Sequence, residues 1–181
     1  MAKQKGRKLA MDELGRKSIS EFKRDEKLPI TIVLDDIRSL SNVGSIFRTA
    51  DAFGIERIVL CGITAKPPHR EIQKTALGAT ESVDWDYVKS CTDALSELKN
   101  SGYLILGVEQ VEGSCKLADF NYSTDEKLAV VLGNEVNGVS QRVLNLCDDY
   151  LEIPQSGTKH SLNVSVAAGV VLWELCKKFS A

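Results

Sequence analysis

The sequence predicts an α/β domain built on a parallel β-sheet with helices on both faces. Continuous apolar runs at 30–34 (ITIVL), 57–60 (RIVL), 103–108 (YLILGV) and 128–132 (LAVVL) have the pattern of strands buried on both sides. Between them, apolar residues recur at helical spacing, so strands and helices alternate along the chain.

Residues 1–29 are polar and charged, and form a short helical or mobile extension ending at Pro29; the domain proper is 30–181. After the first strand, Val43, Ile46, Phe47 and Ala50 follow an i, i+3, i+4, i+7 pattern, which predicts an amphipathic helix over 42–53 stopped by Gly54. The second strand leads into a loop marked by Pro67 and Pro68, then a short helix over 71–77. Residues 83–87 are an edge-strand candidate, and Cys91, Leu95 and Leu98 mark another helix face. Beyond the strands at 103–108 and 128–132 come a short helix at 140–146 and a final short strand at 150–153. The last helix, 162–178, is apolar nearly all round until Lys177. Such a helix must be buried on more than one side, which one domain of 181 residues cannot do alone; a homodimer through this helix is therefore expected.

Composition excludes several classes. No apolar run is long enough to span a bilayer, and the basic start lacks the apolar stretch of a secretory signal. The five cysteines are odd in number and form no C-x-x-C, so reduced thiols in the cytoplasm are expected rather than disulfides or zinc. His69 and His160 stand far apart, and no metal site is expected. The net charge of −2 conceals an asymmetry: nine basic and five acidic residues in 1–29, against fourteen and twenty in the remainder. The basic arm is either a solubilising tail or a phosphate contact through Arg7, Lys8, Arg16 and Lys17.

Three segments stand just past predicted strands, where open α/β sheets bind ligands. The first, 36–49 (DIRSLSNVGSIFRT), opens a helix with Asn42 near its start and Arg48 further along. A helix start attracts anions; the plainer role for Asn42 is a helix cap and for Arg48 a surface ion pair. The two are six apart and do not share a face, unless a bend near Gly44 turns both toward one ligand. The second, 132–138 (LGNEVNG), is a glycine-bounded loop in which Glu135 can accept backbone N–H groups; alone it equally describes a tight turn. The third, 153–163 (IPQSGTKHSLN), puts Ser161 and Asn163 at the mouth of the last helix, where either can be a cap. None of them is G-x-G-x-x-G or a Walker loop, and no G-x-S-x-G elbow accompanies His160 and Ser161.

Taken together, NVGSIFRT at 42–49, LGNEVNG at 132–138 and IPQSGTKHSLNVSVAA at 153–168 resemble, in order and spacing, the three motifs of the SpoU (TrmH-like) RNA methyltransferases of the SPOUT superfamily. The resemblance spans about residues 30–178. It implies a SPOUT fold with a C-terminal deep trefoil knot and a bent S-adenosylmethionine held in the knotted loops. The cofactor would lie against Val108, Leu132, Gly133, Asn134, Glu135, Gly138, Ile153, Leu162 and Asn163. The catalytic arginine falls on Arg48, with Asn42, Glu135, Ser161 and Asn163 as polar partners and Asn42 and Arg48 toward the substrate. The implied reaction moves a methyl group to a ribose 2′-oxygen of tRNA or rRNA. A guanidinium is protonated at ordinary pH, so Arg48 is either a base altered by its surroundings or a fixed cation beside a developing alkoxide. Three rivals remain: a dinucleotide-binding oxidoreductase, which lacks its glycine fingerprint here; a non-catalytic RNA-binding protein of the same fold; and a base-directed SPOUT methyltransferase.

Overall fold

The computed structural model describes residues 6–10, 12–15, 17–159 and 161–179. The chain runs through α1 (Ile19–Arg24), β1 (Leu28–Asp35), α2 (Leu40–Phe53), β2 (Ile55–Cys61), α3 (Arg70–Ala76), α4 (Ala79–Ser82), β3 (Asp84–Val88) and α5 (Cys91–Asn100). It continues through β4 (Tyr103–Val108), β5 (Cys115–Lys116), β6 (Lys127–Leu132), α6 (Gln141–Leu144), β7 (Asp149–Glu152) and α7 (Val164–Cys176). Seven strands form one sheet in the order β3-β2-β1-β6-β4-β7-β5, and every pairing is parallel.

The continuous apolar strands are explained by two cores, one on each face. Ile30, Ile32 and Leu34 of β1 point into the larger core with Ile46 and Phe47 of α2, Ile72 of α3 and Val171 and Leu172 of α7. Val33 of the same strand points the other way, to Leu95 and Leu98 of α5 and Val143 of α6. The two-residue period of a strand therefore feeds both layers from one run.

Several expectations are corrected. β1 starts at Leu28, so Pro29 lies within the strand rather than ending an extension. A central strand tolerates this proline because the β1–β2 register slips between Leu28 and Thr31, which is where a missing N–H is harmless. Of the two readings of the extension, the short helix is present: α1 carries a capping box on Ser18 and Glu21, and Phe22 packs on the larger core. Helix α2 runs unbroken from Leu40, capped by Ser39, whose hydroxyl accepts the Asn42 N–H. Asn42 is thus inside the first turn and is not the cap. Gly44 makes no bend; a Cβ there would fall 2.3 Å from the Ile72 carbonyl oxygen, so its bareness lets α3 lie directly against α2. Sequence reading missed α4 and the two-residue β5, which is too short to show a period. The strand at 84–88 is an edge strand as expected, whereas the last strand, β7, is interior, between β4 and β5.

Helix α7 packs on α2 through its inner face but leaves Val166, Val170 and Trp173 at 52%, 38% and 59% exposure. These three share one stripe by i, i+4, i+7 spacing, and the Trp173 ring lies 6.3 Å from that of Phe53 at the end of α2. No helix among the described residues is long and apolar enough to cross a membrane.

Candidate functional site

The three predicted segments meet outside the carboxyl ends of the strands, and hydrogen bonds tie them together. The Asn163 side-chain amide donates to Asn42 Oδ1 (3.1 Å), and the Asn42 amide donates to Glu135 Oε1 (3.0 Å). Glu135 also accepts the N–H of Ser39 (3.0 Å) on Oε1 and that of Arg38 (2.9 Å) on Oε2. Its bonds therefore brace the start of α2 more than its own loop. Burial alone would raise the Glu135 carboxyl; the Arg38 N–H, the Asn42 amide and the Ser39 N–H outweigh it and hold the carboxyl below its ordinary range. A helix N-terminus favours an anion at this place for the same reason.

Asn42 is buried, 8% exposed, because both ends of its amide are spent in this relay. Asn163 plays two parts: Oδ1 caps α7 by accepting the Ser165 N–H (2.9 Å), while its amide reaches Asn42. The cap role weighed for Asn163 is the one it has, alongside its bond to Asn42; the cap role weighed for Asn42 belongs to Ser39.

The loop after β6 is both a tight turn and a wall. Asn134 and Gly138 exchange backbone hydrogen bonds (3.1 and 2.8 Å), and Asn134 Oδ1 accepts from Val136 and Asn137. Its amide donates to the Asp36 carbonyl (2.7 Å), which anchors the loop to the end of β1. Gly138 adopts φ +63°, and a Cβ there would strike Glu109 Oε2 at 2.0 Å. Glu109 in turn accepts the Val139 N–H (2.9 Å), so the loop is clamped from beneath.

Around this frame lies a cavity of about 640 Å³, within the range of small-molecule and cofactor sites. Val108, Leu132, Gly133, Asn134, Glu135, Gly138, Ile153, Leu162 and Asn163, all expected to hold cofactor, line it. Ser161 lines it as well. Sequence reading missed Glu109, Leu144, Leu151, Glu152, Gln155 and Ala167, which also face the cavity. Position immediately after a strand was the available signal for Glu109. Three carboxylates (Glu109, Glu135 and Glu152) line the cavity, and no Lys or Arg does among the described residues.

Arg48 departs from the expectation that all site residues share one cleft. It is exposed and does not line the cavity. Six residues carry a straight helix one and two-thirds turns, so Arg48 looks away from Asn42. In the N-terminal arm, Arg7 pairs with Glu13 (2.6 Å) and Lys17 with Asp25, both exposed at the surface. Lys8 is exposed, and Arg16 lies outside the described residues, as does His160. Lys23 of α1 reaches Asp84 (3.9 Å) at the start of β3, and the Leu28 N–H bonds the Gly54 carbonyl. The arm is therefore anchored at the opposite end of the sheet from the cavity.

An all-parallel sheet with its cofactor-sized cavity at the carboxyl ends, framed by the three motifs, defines a class of small-molecule-dependent α/β proteins. Sequence comparison makes it particular. Residues 29–173 match the profile of the SpoU rRNA Methylase family, and the chain belongs to that family. A Staphylococcus aureus (strain MSSA476) protein assigned to the TrmH family of tRNA/rRNA methyltransferases is 33% identical over 161 residues, which is 88% of this chain and 63% of that one. The chain thus spans less than two thirds of that relative's length. Among solved structures, the A. aeolicus TrmH/SpoU tRNA modifying enzyme aligns with TM-score 0.80 at 26% identity, covering 90% of this chain and 81% of that chain. The SpoU methyltransferase AviRb of Streptomyces viridochromogenes, solved in complex with AdoMet, aligns with TM-score 0.76 at 26% identity, covering 88% of this chain and 61% of that chain.

Proposed function

We propose that the protein is an S-adenosylmethionine-dependent methyltransferase acting on a ribose 2′-hydroxyl of tRNA or rRNA in the cytoplasm. The observation that carries this reading is the relay from Asn163 through Asn42 to Glu135, set beside a cavity with apolar walls, three carboxylates and no cation among the described residues. Such a lining repels nucleotides with phosphate groups and suits an adenine-bearing cation. Bound there, S-adenosylmethionine supplies an electrophilic methyl group on a positively charged sulfur.

The chain's own groups then have distinct tasks. Glu135 is a positioning residue: its oxygens are spent on three donors and its carboxyl is held low, which makes it a poor proton acceptor. Ser161 is exposed and lines the cavity, where its hydroxyl would meet a ligand. Arg48 is the cation that stabilises the developing 2′-alkoxide, a role that needs a fixed charge rather than a titrating one. Because it does not line the cavity of its own chain, we assign it to the cavity of a partner subunit. The exposed Val166–Val170–Trp173 stripe, which adjoins α2 through Phe53, supports a homodimer that brings the two together. Mixed dimers of Arg48→Ala and Asn163→Ala chains should recover a fraction of the activity that each variant lacks alone. A C-terminal trefoil knot belongs to the same proposal, supported by β7 lying between β4 and β5 while α7 returns to α2; a crystallographic chain trace tests it.

The deciding experiment is calorimetry with S-adenosylmethionine, paired with mass-spectrometric mapping of 2′-O-methyl nucleotides in tRNA and rRNA from cells lacking the protein. Cofactor binding with one ribose methylation missing supports the reading. A missing base methylation would favour the base-directed alternative, and no cofactor binding would leave an RNA-binding protein of the same fold.

A further inference from the structure

We propose that Ile63, Lys66 and Tyr87, flanked by the cations of Arg38, Arg70 and Lys89, form a stacking platform for unpaired bases of the RNA that lie beside the modified nucleotide. This rests on the RNA methyltransferase reading and adds where the substrate lies. Arg38, Ile63, Lys66 and Lys89 sit in the loops that follow β1, β2 and β3, Tyr87 near the end of β3 and Arg70 at the start of α3, at the cavity end of the sheet.

The platform is tied to the cavity wall. Asn134, which lines the cavity, donates to the Asp36 carbonyl; Asp36 Oδ1 accepts the Ile63 N–H (2.9 Å); and the Tyr87 hydroxyl donates to the Gly62 carbonyl (2.9 Å). The next residue, Thr64, is buried, with its hydroxyl bonded to both the Ile37 N–H (3.0 Å) and the Leu34 carbonyl (3.1 Å). Ile63 is therefore held outward at 67% exposure by a loop fixed on both sides of it. That fixes where this apolar surface stands relative to the Tyr87 ring, whose hydroxyl is bonded one residue away at Gly62.

Charge selects the occupant. Arg38, Arg70 and Lys89 are exposed and form no ion pair among the described residues, while the Lys66 ammonium lies 4.1 Å from the centroid of the Tyr87 ring. Of the nearby carboxylates, Glu71 pairs with Lys74 (2.7 Å) and Asp86 with Arg57 (3.4 Å), while Asp36 Oδ1 accepts the Ile63 N–H. This local excess of free cations stands on a region, 30–181, that is acidic overall. Cations beside an aromatic ring are the elements of single-strand recognition: phosphates meet the charges and bases stack on the ring. Duplex bases are not available for that, so the target is splayed or looped RNA. Lys66 holds the ring face in the free protein and exchanges it for a phosphate, which leaves the face to a base.

The test is fluorescence anisotropy of the whole protein with a short fluorescein-labelled single-stranded RNA of mixed sequence, and with its duplex, alongside S-adenosylmethionine calorimetry. Tyr87→Ala should weaken single-strand binding about 5- to 150-fold, with an unchanged salt slope. Lys66→Ala should lower the salt slope by about one ion. Tyr87→Phe keeps the ring and should bind within about threefold of the unaltered protein. Unchanged affinity in Tyr87→Ala overturns the platform, as does Tyr87→Phe failing as badly as Tyr87→Ala, or a preference for duplex. The two readings fail separately: a protein that binds cofactor normally but is indifferent to these substitutions loses only the platform. One that stacks RNA on Tyr87 but binds no cofactor loses the methyltransferase reading.

Discussion

The two halves of the sheet present opposite chemistry at the same end. Beyond β6, β4 and β7 the loops enclose a cavity with three carboxylates and no Lys or Arg among the described lining residues. Beyond β1, β2 and β3 there is a surface carrying Arg38, Lys66, Arg70 and Lys89 in the open. Neither property is visible in a net charge of −2. The separation teaches that a protein acidic overall can serve a polyanion and a cationic donor at once, provided that each meets its own side of one rim. The Asp36 loop is the seam, bonded to Asn134 on one side and Ile63 on the other.

That comparison can be broken in several ways. The largest effect belongs to the cation that joins neither side in its own chain. Arg48→Ala should lower methyl transfer at least about a hundredfold, measured with radiolabelled cofactor, while calorimetry finds cofactor affinity intact. Near-normal turnover would remove Arg48 from the chemistry. Next, Val166→Asp with Trp173→Ala should raise the dimer dissociation constant at least about 30-fold, seen by gel filtration across a dilution series, with activity falling in parallel. A monomeric unaltered protein with full activity would refute assembly through α7.

A smaller effect is expected inside the acidic half. Glu135→Ala strands the Arg38 and Ser39 N–H groups and should weaken cofactor binding about tenfold. The pH dependence follows from the depressed carboxyl. Its contribution to stability is complete above the unfolded value, about 4.3, and is lost as pH falls through the lower folded value. Acid titration of Glu135→Gln followed by circular dichroism should lack that component; an identical curve would mean the carboxylate is not held low. The smallest effect should come from removing residues 1–17, which spares the Ser18 cap. With Arg7 and Lys17 already paired, RNA affinity should fall only about two- to threefold, with a slightly flatter salt dependence. No change would free the arm of any part in binding, and a collapse would shift the RNA surface away from the β1–β3 rim.

Much of this was legible in the sequence because burial leaves periodic marks. The strands at 103–108 and 128–132 were placed to within a residue, since both faces of each are covered and nothing polar interrupts them. The lining of the cavity followed from motifs that stand where strands end. The relay was not legible: Asn42 and Asn163 are 121 residues apart, and either is an ordinary residue for a helix start. Nor was the reason for Gly44, which depends on a backbone carbonyl of α3 that no local pattern announces. The place of Arg48 is half legible: its six-residue offset from Asn42 turns it aside, and the bend near Gly44 that would bring it back does not form. The platform was hidden because Tyr87 reaches Gly62 and Lys66 only when β2 and β3 pair.

The Asn42 amide has a further consequence. It is a single planar group that donates a hydrogen bond to one loop and accepts one from the start of α7. Both bonds form together only when the two segments are seated at once, so this side chain acts as a check on their joint assembly. An aspartate there would keep the acceptor and lose the donor, uncoupling one partner while preserving the other and setting a negative charge against Glu135. The site would then be half built, a state in which the segments bordering the cavity fluctuate independently.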